Sequence, residues 1–219
     1  MLIDHTAKLL FRHNEAFLEP LFVVGRYAID GYYLLQCVGR WAFPLFCFLL
    51  VEGFLHTHDR KKYGRSLLLF ALLSEIPWNL THGGHLYGPT QNVLFTLLLG
   101  YLAMVAVERW EQGMMTAGRM AVCVFLLIAA GILLKTDYGF CGVSFILMLY
   151  LLRRNATLRA AVGCCFLPMR WIAGLAFIPI ALYNGQRGFV RGAFGKYFFY
   201  AFYPLHLLVL YLIKGWLGV

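Results

Sequence analysis

Residues 39–57, GRWAFPLFCFLLVEGFLHT, form an apolar run of membrane length that nonetheless carries Arg40, Pro44, Glu52 and His56. A charged side chain at the centre of a spanning helix costs about 2.5 to 3.5 kcal/mol even on lenient insertion scales, so a mere anchor would carry leucine at these positions. The run is expected to be one wall of a polar site buried between helices. Composition names the solvent: of 219 residues, 61% are hydrophobic and 13% charged, whereas apolar residues make up roughly half of a soluble domain. The expected fold is all-α, a polytopic integral membrane helical bundle forming a single domain over residues 1–219.

The chain carries 19 Lys and Arg against 10 Asp and Glu. A nucleic-acid binder gathers its bases on a soluble surface. Here they stand in short runs between apolar segments, which is how a positive-inside topology is encoded, so nucleic acid is not an expected partner. The densest run, DRKKYGR, holds Arg60, Lys61, Lys62 and Arg65 and marks the cytoplasmic side. With about 20 apolar residues per span, segments 33–57, 66–82, 91–108, 117–134, 138–152 and 197–213 are predicted to cross. The opening MLIDHTAKLLF is short for a span, and residues 12–30 are mixed, suiting an interfacial loop or a surface helix. Residues 160–167 and 171–183, interrupted by Pro168 and Arg170, are expected to form a hairpin of half-helices, giving about eight or nine transmembrane helices. The four inner connections then hold 4, 2, 3 and 3 bases, twelve of the nineteen. That count predicts a multi-pass protein of the inner or plasma membrane with a cytoplasmic N-terminus. No cleavable leader is expected, since the N-terminus lacks a basic head ahead of an apolar core.

Depth follows from a helix rise of about 1.5 Å per residue. Arg40 lies seven residues from the outer start of its span and Glu75 seven from the outer end of the next, both about 10 Å deep. Pairing the two is the simplest way to keep both charges in a bilayer. If the first helix emerges near Arg12, His5 falls in the same layer, with Asp4 beside it and four residues ahead of Lys8, the favourable order for a helical ion pair. Glu52, twelve residues beyond Arg40, sits about 18 Å further in. The simpler readings are a packing histidine, a structural ion pair, and snorkelling for Glu52 and His56. No metal is expected. His82 and His85, or His56 and His58, are loop histidines without nearby acids or cysteines, and the six cysteines show no CxxC spacing and fall almost entirely inside apolar segments.

In order along the chain, IDHTAK, GRWAFPLFCFLLVEGFLHT, FALLSEIPWNL, QNVLFTLLLG, DYGFCGV, ALYNGQRG and KYFFYAFYPLHLLVLYLI resemble the successive signatures of the TraX family. TraX proteins are described as acetylating the N-terminus of conjugative pilin, and they are similar to the wider transmembrane acyltransferase group. The resemblance implies a membrane-embedded acyltransferase that moves an acetyl group from cytoplasmic acetyl-CoA to an amine or hydroxyl at the outer face. The acceptor would be a pilin, a surface glycan or a small molecule. Matched residue by residue, the first-helix histidine of that group falls on His5, preceded by Asp4. Arg40, Glu52 and Glu75 match charged positions of the next two signatures. One departure is that TraX-like chains usually carry a fuller apolar stretch ahead of the Asp-His pair.

An imidazole titrating near neutrality can take the proton from an attacking group or carry the acyl group itself. Arg40 would bind an anion or stabilise the oxyanion of the tetrahedral intermediate, held in place by Glu75. Gln91, Asn92, Asn184 and His206 are neutral polar candidates for donor or acceptor contacts. The inner basic runs, Arg60, Lys61, Lys62 and Arg65 above all and then Arg187 to Lys196, are candidate docking points for coenzyme A phosphates. Two readings from other classes compete: a small secondary transporter, which would more often show two related halves, and a non-catalytic assembly factor for a surface structure.

Overall fold

Pro44 decides how the first long apolar run folds. Its ring has no N–H and clashes with the carbonyl of the residue four positions back, which is Arg40. The run therefore breaks there. The computed structural model describes residues 1–12, 14–25, 27–166, 171–186 and 192–218, and it divides residues 31–56 into α3 (Gly31–Gly39) and α4 (Ala42–His56), with Arg40 as the C-cap of α3 and Pro44 in the first turn of α4. A proline is tolerated in that turn because its N–H would have no intrahelical acceptor.

Ahead of this pair, α1 (Leu2–Thr6) continues into a π-helical turn, Ala7–Phe11. The mixed stretch that follows differs from the expected interfacial loop or surface helix. It holds one short helix, α2 (Glu15–Leu18), and an antiparallel hairpin of β1 (Pro20–Val24) and β2 (Tyr27–Asp30). The β-branched and aromatic residues of PLFVV and YAID favour strand, and Gly25, at φ +63°, gives the left-handed start that a tight hairpin turn needs.

The remaining helices follow the apolar runs. They are α5 (Arg60–Gly83), α6 (Val93–Glu111), α7 (Ala117–Leu133), α8 (Gly139–Leu151), α9 (Ala156–Phe166), α10 (Phe177–Ala181) and α11 (Gly192–Leu217), with a 3-10 turn, Trp171–Ala176, before α10. The expected half-helix hairpin maps onto α9 and α10, while Pro168 and Arg170 lie outside the described residues. Of the described residues, 77% are helical. Among the described residues, three stretches are long and apolar enough to cross a membrane (Gly31–His56, Val93–Glu111 and Tyr197–Leu217), beside shorter apolar helices α7, α8 and α9.

Helix α6 forms the middle of the bundle, packed on α5, α7 and α8, and α11 lies along α5. Phe54, Tyr101, Met104, Ile146, Leu149 and Tyr150 fill the core between them. Outward, Leu69, Leu72, Leu73 and Ile76 on α5, Phe125 and Leu126 on α7, and Leu205, Val209 and Leu212 on α11 are each more than half exposed. An apolar belt of that extent is untenable in water and suits lipid.

The two ends of the bundle differ. At one end Arg60 pairs with Glu108 at 2.9 Å and Arg153 with Glu111 at 2.8 Å. At the other, the α5–α6 loop is tied to the α7–α8 turn: the Gln91 amide donates to the Lys135 carbonyl at 3.1 Å, and the Asp137 amide donates to that of Gln91 at 3.0 Å. The polar pocket described next opens at this second end.

Candidate functional site

Helix α1 reaches its place because α3 ends in glycine. The backbone of Asp4 lies against Gly39, where even a Cβ would stand only 2.8 Å from Asp4 Cα. This contact presses the next residue, His5, inward until it is 7% exposed. There its Nδ1 meets Nε2 of His206, on α11 and 201 residues away, at 2.9 Å. His206 is also buried, and its Nδ1 lies 2.8 Å from the carbonyl oxygen of Phe202. A carbonyl only accepts, so His206 Nδ1 carries the proton. In the neutral pair His206 Nε2 is then the acceptor and His5 Nδ1 the donor. The chain of bonds leaves the proton-free nitrogen of His5 at Nε2.

The pair sits beside a pocket of about 110 Å³ whose polar lining is Asp4, His5, Lys8, Arg40, His82, Asp137, Tyr138 and Tyr203. Lys8 Nζ is 2.6 Å from Asp4 Oδ2, the helical pair expected from their spacing. Arg40 stands at the break between α3 and α4, and among the described residues, which include all ten Asp and Glu side chains of the chain, it has no ion-pair partner. The Tyr203 hydroxyl is buried beside the Val93 amide, and its proton has no acceptor. Asp137 lies in the α7–α8 turn. Although the residue as a whole is exposed, loss of water around its carboxyl pushes it up to about 6, with Lys8 opposing the rise and Asp4 adding to it. The pocket thus offers a hydrogen-bonded base, an unpaired guanidinium, an unused hydroxyl and a carboxyl that changes charge near neutrality. No group of three His, Cys, Asp or Glu among the described residues is placed to hold a metal.

Of the residues singled out from the sequence, Asp4, His5 and Arg40 line this pocket and His206 bonds to His5. The expected pairing of Arg40 with Glu75 is not formed. Glu75 instead accepts from both the backbone and the side-chain nitrogen of Asn92, and Asn92 Nδ2 also donates to the Ala71 carbonyl at 2.9 Å. Asn92 is the N-cap of α6, its side chain accepting from the Leu94 amide, and the Glu75 carboxylate satisfies the donors at that helix start. Equal depth on two helices does not make two side chains face each other.

The other candidates lie elsewhere. Gln91 forms the bridge to Thr136, and Asn184 is exposed and accepts from the Gln186 amide. Glu52 faces His56 at 3.5 Å toward the opposite end. At that end Arg60 donates to the carbonyls of Phe54 and Thr57 as well as to Glu108, whereas Lys61, Lys62 and Arg65 are exposed. Arg187 and Arg191 are outside the described residues. Sequence reasoning did not single out Asp137, Tyr138, Tyr203 or Lys8 for the site. The signal present was local: Asp137 and Tyr138 open DYGFCGV, and Tyr203 stands three residues before His206, on the same helix face.

The family model described as TraX protein matches residues 1–214. A relative named "Probable fimbrial assembly protein FimC, serogroup H1", from Dichelobacter nodosus, is 33% identical over 218 residues, covering 83% of this chain and 84% of its own. No solved structure matches.

Proposed function

The chain belongs to the TraX family, and from that premise we propose that it is a membrane-embedded acyltransferase passing an acyl group from acetyl-CoA to an amine or hydroxyl acceptor. The observation that supports this reading is the hydrogen-bonded His5–His206 pair at a polar pocket inside an apolar bundle. Base and orienting group within hydrogen-bond reach are the parts a nucleophile-activating site needs. His5 Nε2 takes the proton from the acceptor N–H or O–H as the new bond forms at the thioester carbonyl. The imidazolium so created keeps its Nδ1–H on His206 Nε2. Arg40, unpaired in the pocket wall, neutralises the oxyanion of the tetrahedral intermediate. The C–S bond then breaks, and His5 returns its proton to the departing thiolate.

The donor comes from the basic end of the bundle, where exposed Lys61, Lys62 and Arg65 would meet coenzyme A phosphates, and the acceptor from the pocket end, which positive-inside bias places outside. Arg60, committed to Glu108 and two carbonyls, acts in this scheme as a latch rather than a docking point. The name of the Dichelobacter relative favours a fimbrial or pilin subunit as acceptor, ahead of a surface glycan or a small molecule. The same name also favours a second reading, a non-catalytic assembly factor.

The test uses the purified full chain with radiolabelled acetyl-CoA, comparing wild type with His5→Ala and following both CoA release and label retained on the protein. CoA release that disappears in folded His5→Ala supports the transferase. Equal behaviour of the two proteins, or no turnover in a folded sample that still restores fimbrial assembly in cells, supports the assembly factor.

A further inference from the structure

Beside the polar pocket runs a second cavity of a different character. It encloses about 200 Å³ between α4, α5, α6 and α11, and its walls are apolar: Leu50, Leu67, Leu94 and Leu97 form the floor and Leu49 and Phe199 the exposed rim. Met1 and Tyr203 line both cavities, so the groove begins where the His5 pocket ends. Along α4 its lining runs from Phe46, one turn beyond the Phe43 that lines the polar pocket, to Leu50, about 6 Å further from the pocket end. Resting on the transferase reading above, we propose that this groove seats the alkyl chain of the acyl donor, so that the enzyme accepts medium-chain acyl thioesters and is not confined to acetyl.

Size, lining and position support that occupant. A dry apolar cavity of about 150 Å³ takes a six-carbon ring, and by the same scale about 200 Å³ takes an alkyl chain of about eight carbons. The floor carries no charge that a coenzyme arm or a sugar would need. The junction matters most. The Tyr203 hydroxyl is buried and its proton has no acceptor, whereas buried hydroxyls are ordinarily paired. An acyl thioester with its chain in the groove sets its carbonyl oxygen at this junction, as the acceptor the hydroxyl lacks, and its carbonyl carbon toward His5. Tyr203 is then a positioning residue for the carbonyl, and the groove selects chain length.

The experiment measures transfer by the full chain from acyl-CoAs of two to twelve carbons, together with equilibrium binding of octanoyl-CoA. Wild type should show KM falling roughly threefold to fourfold per added methylene, levelling at about eight carbons, the length the cavity volume admits. Leu49→Trp, a change at an exposed rim position that folding should tolerate, is expected to fill the groove. It should raise KM for octanoyl-CoA by at least tenfold while leaving acetyl-CoA turnover unchanged. Tyr203→Phe should lower kcat with every donor by a similar factor and leave the chain-length profile intact. Transfer from acetyl-CoA alone, indifferent to Leu49→Trp, overturns the groove assignment and leaves the transferase reading standing. If no donor turns over but octanoyl-CoA binds more tightly than acetyl-CoA in a Leu49-dependent way, the groove assignment stands and the transferase reading falls. Binding without chain-length dependence, with phospholipid retained in the groove, overturns the assignment.

Discussion

Gly39→Ala is the sharpest perturbation of the site that touches none of its reacting atoms. A Cβ at this position would lie 2.8 Å from Asp4 Cα and 2.9 Å from the Asp4 nitrogen, against about 3.5–4.0 Å for an ordinary carbon contact. The obstructing atoms are backbone, so they cannot swing aside like a side-chain tip. Helix α1 must retreat by about 1 Å, the shortfall from contact distance. The His5–His206 bond of 2.9 Å would then stretch beyond about 3.5 Å, where it no longer counts as a hydrogen bond. A misplacement of about 1 Å can cost roughly 100-fold in rate. The stability cost is smaller: overpacking costs about 1–3 kcal/mol, offset by about 0.5–1 kcal/mol from replacing glycine in a helix. The expected outcome is a folded protein with turnover reduced about 100-fold and altered ¹⁵N shifts at the His5 and His206 ring nitrogens. Gly118→Ala, with open space at its Cβ, is the control and should match wild type. Wild-type turnover and unchanged ring shifts in Gly39→Ala would refute the claim that this contact sets the position of His5.

Four further outcomes are expected. His206→Leu should lower turnover by roughly 10²–10⁴, whereas His206→Gln, whose amide oxygen can still accept from His5 Nδ1–H, should recover part of it in the same assay. Glu75→Ala should destabilise the protein by about 1–3 kcal/mol, because it strips the acceptor from two Asn92 donors. Arg40→Ala should spare stability and reduce turnover, and a double-mutant cycle should give a coupling within about 0.5 kcal/mol; a larger coupling in denaturation would restore the direct pair. For Asp137, a folded value of about 6 lies above the ordinary 3.8. The neutral form is therefore the one the fold favours, and wild type should lose stability relative to Asp137→Asn as pH rises from about 4 to about 6, with the two Tm curves parallel outside that window. Arg60→Ala should lower Tm by removing the partner of Glu108 and of two carbonyls, whereas Lys61→Ala and Arg65→Ala should leave Tm unchanged and raise the KM for the donor.

Much of the fold is written in one-dimensional signals. Spans predicted at 117–134 and 138–152 match α7 (Ala117–Leu133) and α8 (Gly139–Leu151), because an apolar run bounded by Thr116 as N-cap and by the Lys135–Asp137 turn has little choice of limits. The break at Arg40 has its cue in Pro44, which removes the bond to the residue four before it and so kinks or breaks a helix, although α5 and α11 run on through Pro77 and Pro204. The hairpin after α2 was hidden by composition. Charged residues around it suggested an interface, while the short-range signal was Gly25 between two β-prone runs. The number of crossings stays beyond composition, because short apolar helices such as α9, eleven residues long, read the same whether they cross, pack half-way or lie across the bundle.

The site was legible in depth and illegible in direction. Counting residues fixes how far a side chain lies along a helix, and Arg40 and Glu75 do start from equal depth. Azimuth depends on how each helix is rotated by its packing, at about 100° per residue, and no count supplies it. Glu75 is turned toward α6, where the Asn92 donors at a buried helix start hold it. Arg40 is left unpaired beside a histidine placed by a glycine contact. The same logic separates Arg60 from its basic neighbours: within one run, the arginine that meets Glu108 and two carbonyls closes the fold, and the exposed bases around it remain free for a ligand. The groups that the fold leaves unsatisfied at the pocket, the Arg40 guanidinium, the Asp137 carboxyl and the Tyr203 hydroxyl, are costly in an apolar bundle unless something else binds them. Their convergence beside His5 Nε2, the one nitrogen of the histidine pair left with neither a proton nor a hydrogen-bond partner, is what supports reading the pocket as a reaction site rather than a packing defect.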